Sequence, residues 1–157
     1  MKKFKLTSEF IVDISGVKLF RIKALIEFGN VKAGDLGGYI EKEENLSHMG
    51  NAWVSGNAWV SGDARVSGNA RVSGDAQVFG DARVSGDKDY AYAHGFGSCN
   101  RTTTFFRLKD GDVGVRCGCF YGTLAQFRDN VCETHGETKK AQEYLMLADL
   151  MDFRFKN

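Results

Sequence analysis

Residues 51–87 read NAWVSG NAWVSG DARVSG NARVSG DAQVFG DARVSG D, a six-residue period held through six copies without an insertion. Val recurs at 54, 60, 66, 72, 78 and 84, Ala at 52, 58, 64, 70, 76 and 82, and Gly at 50, 56, 62, 68, 74, 80 and 86. A fixed period dictates architecture before any local propensity does. Ala stands two residues before each Val, and in extended chain positions two apart share a face. Ala and Val therefore point to one interior and the residue between them points out. Gly followed by Asn or Asp turns the chain, because both tolerate positive φ. A short strand with a corner every six residues cannot lie in a flat sheet. It winds into a coil of triangular cross-section with Val in the middle.

The motif V-S-G-[ND]-A-x resembles the hexapeptide repeat of left-handed parallel β-helices. That resemblance implies three hexapeptides, about eighteen residues, per turn. The copies then make about two turns, and residues 38–50 add part of a third, with Gly38 and Gly50 in phase with the repeat Gly and Ile40 and Leu46 in phase with the repeat Ala. Two turns leave two open ends, so the flanks are expected to act as caps. The outward column varies: Trp53, Trp59, Arg65, Arg71, Gln77, Arg83. At the implied period Trp53 stacks on Arg71, Trp59 on Gln77 and Arg65 on Arg83, with Asp63 and Asp81 beside the Arg ladder. Trp53 over Arg71 is a candidate cation–π pair. Two Trp on an outer wall read first as a subunit contact, second as a ligand or partner surface, third as packing by the chain's own flanks.

The formal net charge of +1 gives no electrostatic case for nucleic acid or an acidic membrane. There is no Pro, so turns rest on Gly, Asn and Asp. No apolar run reaches spanning length, and Met1-Lys-Lys-Phe-Lys lacks an apolar signal segment, which reads as a cytoplasmic protein with reduced thiols.

The chain divides into 1–37, an N-terminal hairpin and capping loop; 38–88, the repeat; and 89–157, a C-terminal α+β module. Residues 4–28 read as the first hairpin, with Phe10–Ile14 and Lys18–Phe28 as its strands and Phe20, Ile22, Ala24, Ile26 and Phe28 on one face. The run Val31-Lys32-Ala33-Gly34, with Gly37-Gly38 and Leu46-Ser47, resembles the leading segment of a group of bacterial and phage β-helix proteins. Its glycines read as a capping loop, since no helix and no Walker Lys-Ser/Thr follows. Glu41-Lys-Glu-Glu reads as a solvated loop. Residues 88–101 leave the repeat and mark a boundary. Asp110-Gly111 predicts a type I′ hairpin that pairs Leu108 with Val113, Phe106 with Val115 and Thr104 with Cys117. Thr123-Leu-Ala-Gln126 is a capping box opening one helix, and 138–153 carries the spacing of a second. The whole reads as a mainly β chain: a short left-handed parallel β-helix, an N-terminal hairpin cap and a C-terminal ββαα module. The run Cys117-Gly-Cys-Phe-x-Gly-Thr-Leu with Thr134-His-Gly resembles a module at the ends of phage-encoded proteins, which implies a genomic context and no activity.

Cys117-x-Cys119 with Cys132-x-x-His135, and Cys99 in reserve, is the one zinc-like set. Its spacing is not a standard one, Cys117 and Cys119 fall on an apolar strand face, and buried thiols are the favoured reading. No metal or cofactor is assigned. Hexapeptide acyltransferases, which the repeat also resembles, use a His base at a subunit boundary. Here His48 precedes the repeat, His94 follows it, and no loop is extruded from 51–87. The expected protein is a non-enzymatic, oligomeric binding or scaffold module, a trimer covering the Trp wall. It is expected to be phage-encoded and an inhibitor that sequesters a host defence signal or host protein. The candidate ligand or partner residues are Trp53, Trp59, Arg65, Arg71, Arg83, Tyr92 and His94; the expected ligand is nucleotide-like, with no DNA, RNA or membrane partner. Acyl transfer from acyl-CoA is the alternative, and a phage virion component a further one.

Overall fold

The computed structural model describes residues 2–96, 101–118 and 120–156. Three strands lead in, β1 (Phe4–Val12), β2 (Lys18–Ala24) and β3 (Leu36–Ile40). The repeat then supplies six two-residue strands, β4 (Trp53–Val54), β5 (Trp59–Val60), β6 (Arg65–Val66), β7 (Arg71–Val72), β8 (Gln77–Val78) and β9 (Arg83–Val84). Four antiparallel strands follow, β10 (Tyr90–Phe96), β11 (Arg101–Arg107), β12 (Val113–Cys117) and β13 (Phe120–Thr123), and then α1 (Leu124–His135) and α2 (Lys139–Phe155).

The repeat is a three-walled coil. Trp53 pairs with Arg71, Trp59 with Gln77 and Arg65 with Arg83, all in parallel, so one turn takes eighteen residues. All six Val are fully buried and the six Ala at most 1% exposed. Gly50, Gly56, Gly62, Gly68, Gly74 and Gly80 turn the corners at φ between +62° and +71°, where a Cβ is penalised. Gly86 is in phase with them but extended, at φ −160°, and there the coil ends.

The incomplete first turn departs from the expected phase. Tyr39 pairs with Trp59, Ile40 with Val60, and Leu46 bridges Val66, an offset of twenty residues. Ile40 and Leu46 therefore lie under the repeat Val, not under the repeat Ala. The two extra residues sit at one corner: the Ser47 amide donates to Val66 and the Asn51 amide to Gly68, which brackets His48-Met49 as an insertion.

The open edge of the first full turn exposes three Ala carbonyls, and each finds a different donor. Ala58 O accepts from the Tyr39 amide at 3.0 Å. Ala64 O accepts from Asn45 Nδ2 at 2.9 Å. Ala52 O accepts from Lys3 Nζ at 2.7 Å. A backbone donor, an amide side chain and an amine thus close three walls. Lys3 is buried with its ammonium over the Phe28 ring, and desolvation, helped by Arg71, lowers its pKa to about 8. Lys3→Met is expected to cost about 1–3 kcal/mol by orphaning Ala52 O. Between pH 8 and the ordinary Lys pKa of 10.5, the unfolded chain holds a proton that the folded chain has lost. Wild-type stability relative to Lys3→Met should therefore rise with pH across that window and stay level below it. Urea titrations at pH 7, 9 and 10 check this; a gap independent of pH would refute it.

The N-terminal hairpin occupies the expected part of the chain, but its first strand starts at Phe4 rather than Phe10 and its second ends at Ala24 rather than Phe28; β3 joins it to β5, so one sheet runs β1-β2-β3-β5-β8. Asp13 Oδ1 accepts from the Ser15 and Val17 amides to close its turn. Strict alternation fails because the pairing shifts between Leu6 and Phe10 and between Arg21 and Lys23. Such bulges swap faces, so Leu19 is buried while Phe20 is half-exposed.

At the other end the C-terminal sheet lies across the last turn. The Gln77 amide donates to Thr104 Oγ1, the Lys109 amide donates to Asp81 O, and Phe106 enters the coil's core. The β11–β12 hairpin pairs Phe105 with Val115, Phe106 with Gly114, Arg107 with Val113 and Thr103 with Cys117. That is one residue off the expected register. Leu108 and Asp112 close a three-residue loop with Gly111 at φ +90°, in place of a two-residue turn. The slip divides neighbouring rings: Phe105 faces the helices and Phe106 the coil. The module also has two strands beyond the expected ββαα order, β10 and β13. Both helices begin as predicted, with Thr123 in a capping box and Thr138 as N-cap. Leu124, Phe127, Val131, Ala141, Tyr144, Ala148 and Met151 pack on Phe105, Val115 and Cys117.

Candidate functional site

The three walls of the coil have different fates, and this singles out a site. On the wall of β4 and β7, Trp53 is 4% exposed. Phe28 meets it edge-on at 5.3 Å. Arg71 below it turns away, its Nη1 donating to Asn30 Oδ1 at 2.6 Å. On the wall of β5 and β8, Trp59 is 8% exposed under Leu19 and Tyr39. The Arg116 guanidinium, itself buried, lies 5.4 Å from the Trp59 ring and 4.4 Å from Phe79, and its Nε donates to Gly118 O. The outward direction of both Trp side chains is as read from the repeat, but their surroundings are not. The chain's own flanks bury them, so neither Trp53 nor Trp59 presents a stacking surface, and Arg71 is committed to Asn30.

The third wall, β6 and β9, stays open. Arg65 is exposed and Arg83 half-buried, and as register partners they stand about 4.8 Å apart along the ladder. They line a shallow groove of about 530 Å³ that Leu46, Ser47, His48 and Ser67 also border. It continues into a second depression of about 360 Å³ bordered by Lys42, Asp63, Asp81 and Lys109.

Most charges here are already matched. Lys42 Nζ lies 3.0 Å from Asp63 Oδ1, Lys109 is 4.0 Å from Asp81, and Glu43 takes both Lys2 and His48. Lys42 holds the Asp63 carboxyl below the ordinary carboxylate range, and Lys2 with His48 does the same for Glu43. Arg83 Nη1 donates to Asp63 O and Ala82 O, which fixes the guanidinium; it makes no direct ion pair among the described residues, although its charge helps to hold the Asp63 carboxyl down. The Arg65 guanidinium makes no hydrogen bond or ion pair among the described residues. The groove therefore presents two arginines in register that make no direct carboxylate ion pair among the described residues, with Glu43 and Glu44 on the same lining.

Two of the groove's contributors were invisible to the repeat phase. Glu41-Lys-Glu-Glu is not a free loop; its 3₁₀ turn at Glu43–Asn45 forms the rim. Lys109 arrives from the β11–β12 loop, far away in sequence, and carries no local signal. His48 belongs to the inserted corner. Its Nδ1 accepts from the Lys3 amide at 3.0 Å, its Nε2 lies 2.8 Å from Glu43, and its ring stacks on Phe4.

Tyr92 and His94 lie on β10, apart from the groove-lining residues. Tyr92 covers the Gly74 corner, and His94 Nδ1 bonds Thr102 Oγ1 at 2.8 Å. Of the zinc-like set, Cys99 and Cys119 fall outside the described residues. Cys117 is buried and takes a hydrogen bond from Thr103 Oγ1. Cys132 is exposed, against the reading of buried thiols, because it faces outward from α1 while Val131 faces in. His135 stacks on Tyr144. No helix among the described residues is long and apolar enough to cross a membrane.

No curated protein matches the chain. Residues 64–78 and 76–87 match the family model described as the YdcK Beta solenoid repeat. The match falls on the last four hexapeptides, and the chain is a β-solenoid repeat protein.

Proposed function

We propose that the protein is a non-enzymatic binding module, a left-handed hexapeptide coil whose open wall at Arg65 and Arg83 takes an anionic ligand or partner. The observation that carries this reading is the pair of register-matched arginines, without a direct ion pair among the described residues, on the coil wall that the flanks cover least. Like charges opposite each other on a sheet destabilise it. A coil that keeps them at an open groove, with other cations nearby already paired, is arranged for an anion from outside. The sequestering inhibitor of phage origin remains the narrower form of this proposal, moved from the Trp wall to the Arg groove. The trimer loses its motive, since Trp53 and Trp59 need no second subunit to cover them. Acyl transfer finds little support in the imidazoles: His48 uses both ring nitrogens inside the fold, and His94 bonds Thr102.

The test is a thermal-shift panel of phosphates, sulfates and polycarboxylates against the wild type and Arg65→Glu/Arg83→Glu. Stabilisation by at least one anion class, lost in the double variant, is expected, at about 2–3 kcal/mol when ligand is at a hundredfold excess over Kd. A panel with no shift, or one the double variant retains, would overturn the reading.

A further inference from the structure

The geometry points to a phosphate monoester as the ligand of the Arg65–Arg83 groove, bound by its phosphoryl oxygens and read without contact to any base. This rests on the binding reading above and narrows it. Two arginines in register on neighbouring strands suit a doubly charged group, and a phosphate monoester brings a near-dianion whose terminal oxygens can each meet a guanidinium fork. A single carboxylate brings one charge and leaves the second guanidinium opposed. Arg83 is preorganised by its bonds to Asp63 O and Ala82 O, while Arg65 is free to close over the bound group. The Ser67 hydroxyl lies on the same lining and can donate to a third oxygen.

The rest of the ligand meets little that reads it. The groove holds about 530 Å³, more than a phosphoryl group fills, so an ester substituent has room. Its only aromatic side chain is His48, whose ring already stacks on Phe4 at 4.3 Å with 12° between planes. Trp53 and Trp59 are buried under the chain's own flanks. A nucleobase therefore adds nothing that a bare sugar phosphate lacks. Glu44 borders both depressions and has no ion-pair partner among the described residues. Its carboxylate competes with the ligand for the arginines, so it limits affinity.

Calorimetric titration of the full chain with inorganic phosphate, ribose 5-phosphate, AMP, a phosphoserine peptide and neutral ribose tests this. Ribose 5-phosphate and AMP should bind within about threefold of each other, inorganic phosphate should bind, and ribose should not. Arg65→Ala and Arg83→Ala should each weaken ribose 5-phosphate by about tenfold or more, and Glu44→Gln should tighten it severalfold. Melting temperatures without ligand check folding, and Arg65→Ala should melt no lower than wild type because it removes a like-charge contact. Unchanged affinity in both arginine variants would overturn the proposal. AMP binding about tenfold tighter than ribose 5-phosphate would overturn the claim that the base is not read, and a phosphopeptide binding about tenfold tighter would assign the phosphate to a protein. If polycarboxylates stabilise the wild type while no phosphate binds, the phosphate assignment falls and the anion-binding module stands.

Discussion

Trp53→Ala is expected to lower folding stability by about 3–5 kcal/mol, the range for truncating a large buried ring. For a chain of this size that is a fall in melting temperature on the order of 10 °C. The ring sits against Phe28, and its Cζ2 packs so closely on Gly37 that a Cβ there would come within 2.7 Å of it, so truncation leaves a cavity in a tightly packed spot. Trp59→Ala should cost a similar amount, since it also removes the ring face beneath Arg116 and the contact to Leu19 and Tyr39. Phe in place of Trp59 should recover part of the loss by restoring an aromatic face. Both variants should sediment as the wild type does. The opposite pattern, an unchanged monomer melt with a change in sedimentation, would show that these rings serve a subunit interface instead.

Glycine substitutions should separate two causes of corner rigidity. Gly38 has an ordinary φ, but a Cβ there would lie 2.5 Å from Ala58 O and 2.8 Å from Val54 Cγ1. Ala58 O is the acceptor of the Tyr39 amide, so it cannot retreat without breaking the joint between β3 and the coil. Gly38→Ala is expected to cost roughly 2–3 kcal/mol by overpacking alone. Gly68 combines both penalties, with φ +62° and a Cβ that would meet Ser85 O at 2.4 Å. Gly68→Ala should cost on the order of 3 kcal/mol or more. Gly16, at φ +86° with nothing within 4 Å, isolates the backbone term, and Gly16→Ala should cost only about 1–2 kcal/mol. Urea midpoints at constant slope give the three values. Equal losses at Gly68 and Gly16 would mean that the stacked corners are not held at backbone contact.

Much of the site was legible in the repeat, and the reason is periodicity. Once the period is known, each residue between Ala and Val is placed outward, and Arg65 over Arg83 follows by counting. The first helix cap was legible because it is local: Thr123 Oγ1 accepts from an amide three residues on, and Thr138, read as helical, does the same for the second helix. What failed was set by a single extra residue or pair. The His48-Met49 insertion moved Ile40 and Leu46 from the Ala phase to the Val phase. One residue added to the β11–β12 loop turned Phe105 and Phe106 to opposite cores. The strand β10 hid in plain alternation, Tyr-Ala-Tyr-Ala-His, in a stretch read as a boundary because it breaks the hexapeptide.

The sequence by itself determined the coil, its walls and the outward column, because those depend on spacing along the chain and on which residues tolerate a positive φ. Only the tertiary structure decided which walls meet solvent. That depends on where distant segments land: the hairpin and Phe28 on Trp53 and Trp59, Arg116 on Trp59, and only a rim beside Arg65 and Arg83. Burial of apolar surface is non-directional, so an outward Trp is a demand for cover without an address. The chain answers it with its own flanks, and the arginines are what remain in the open.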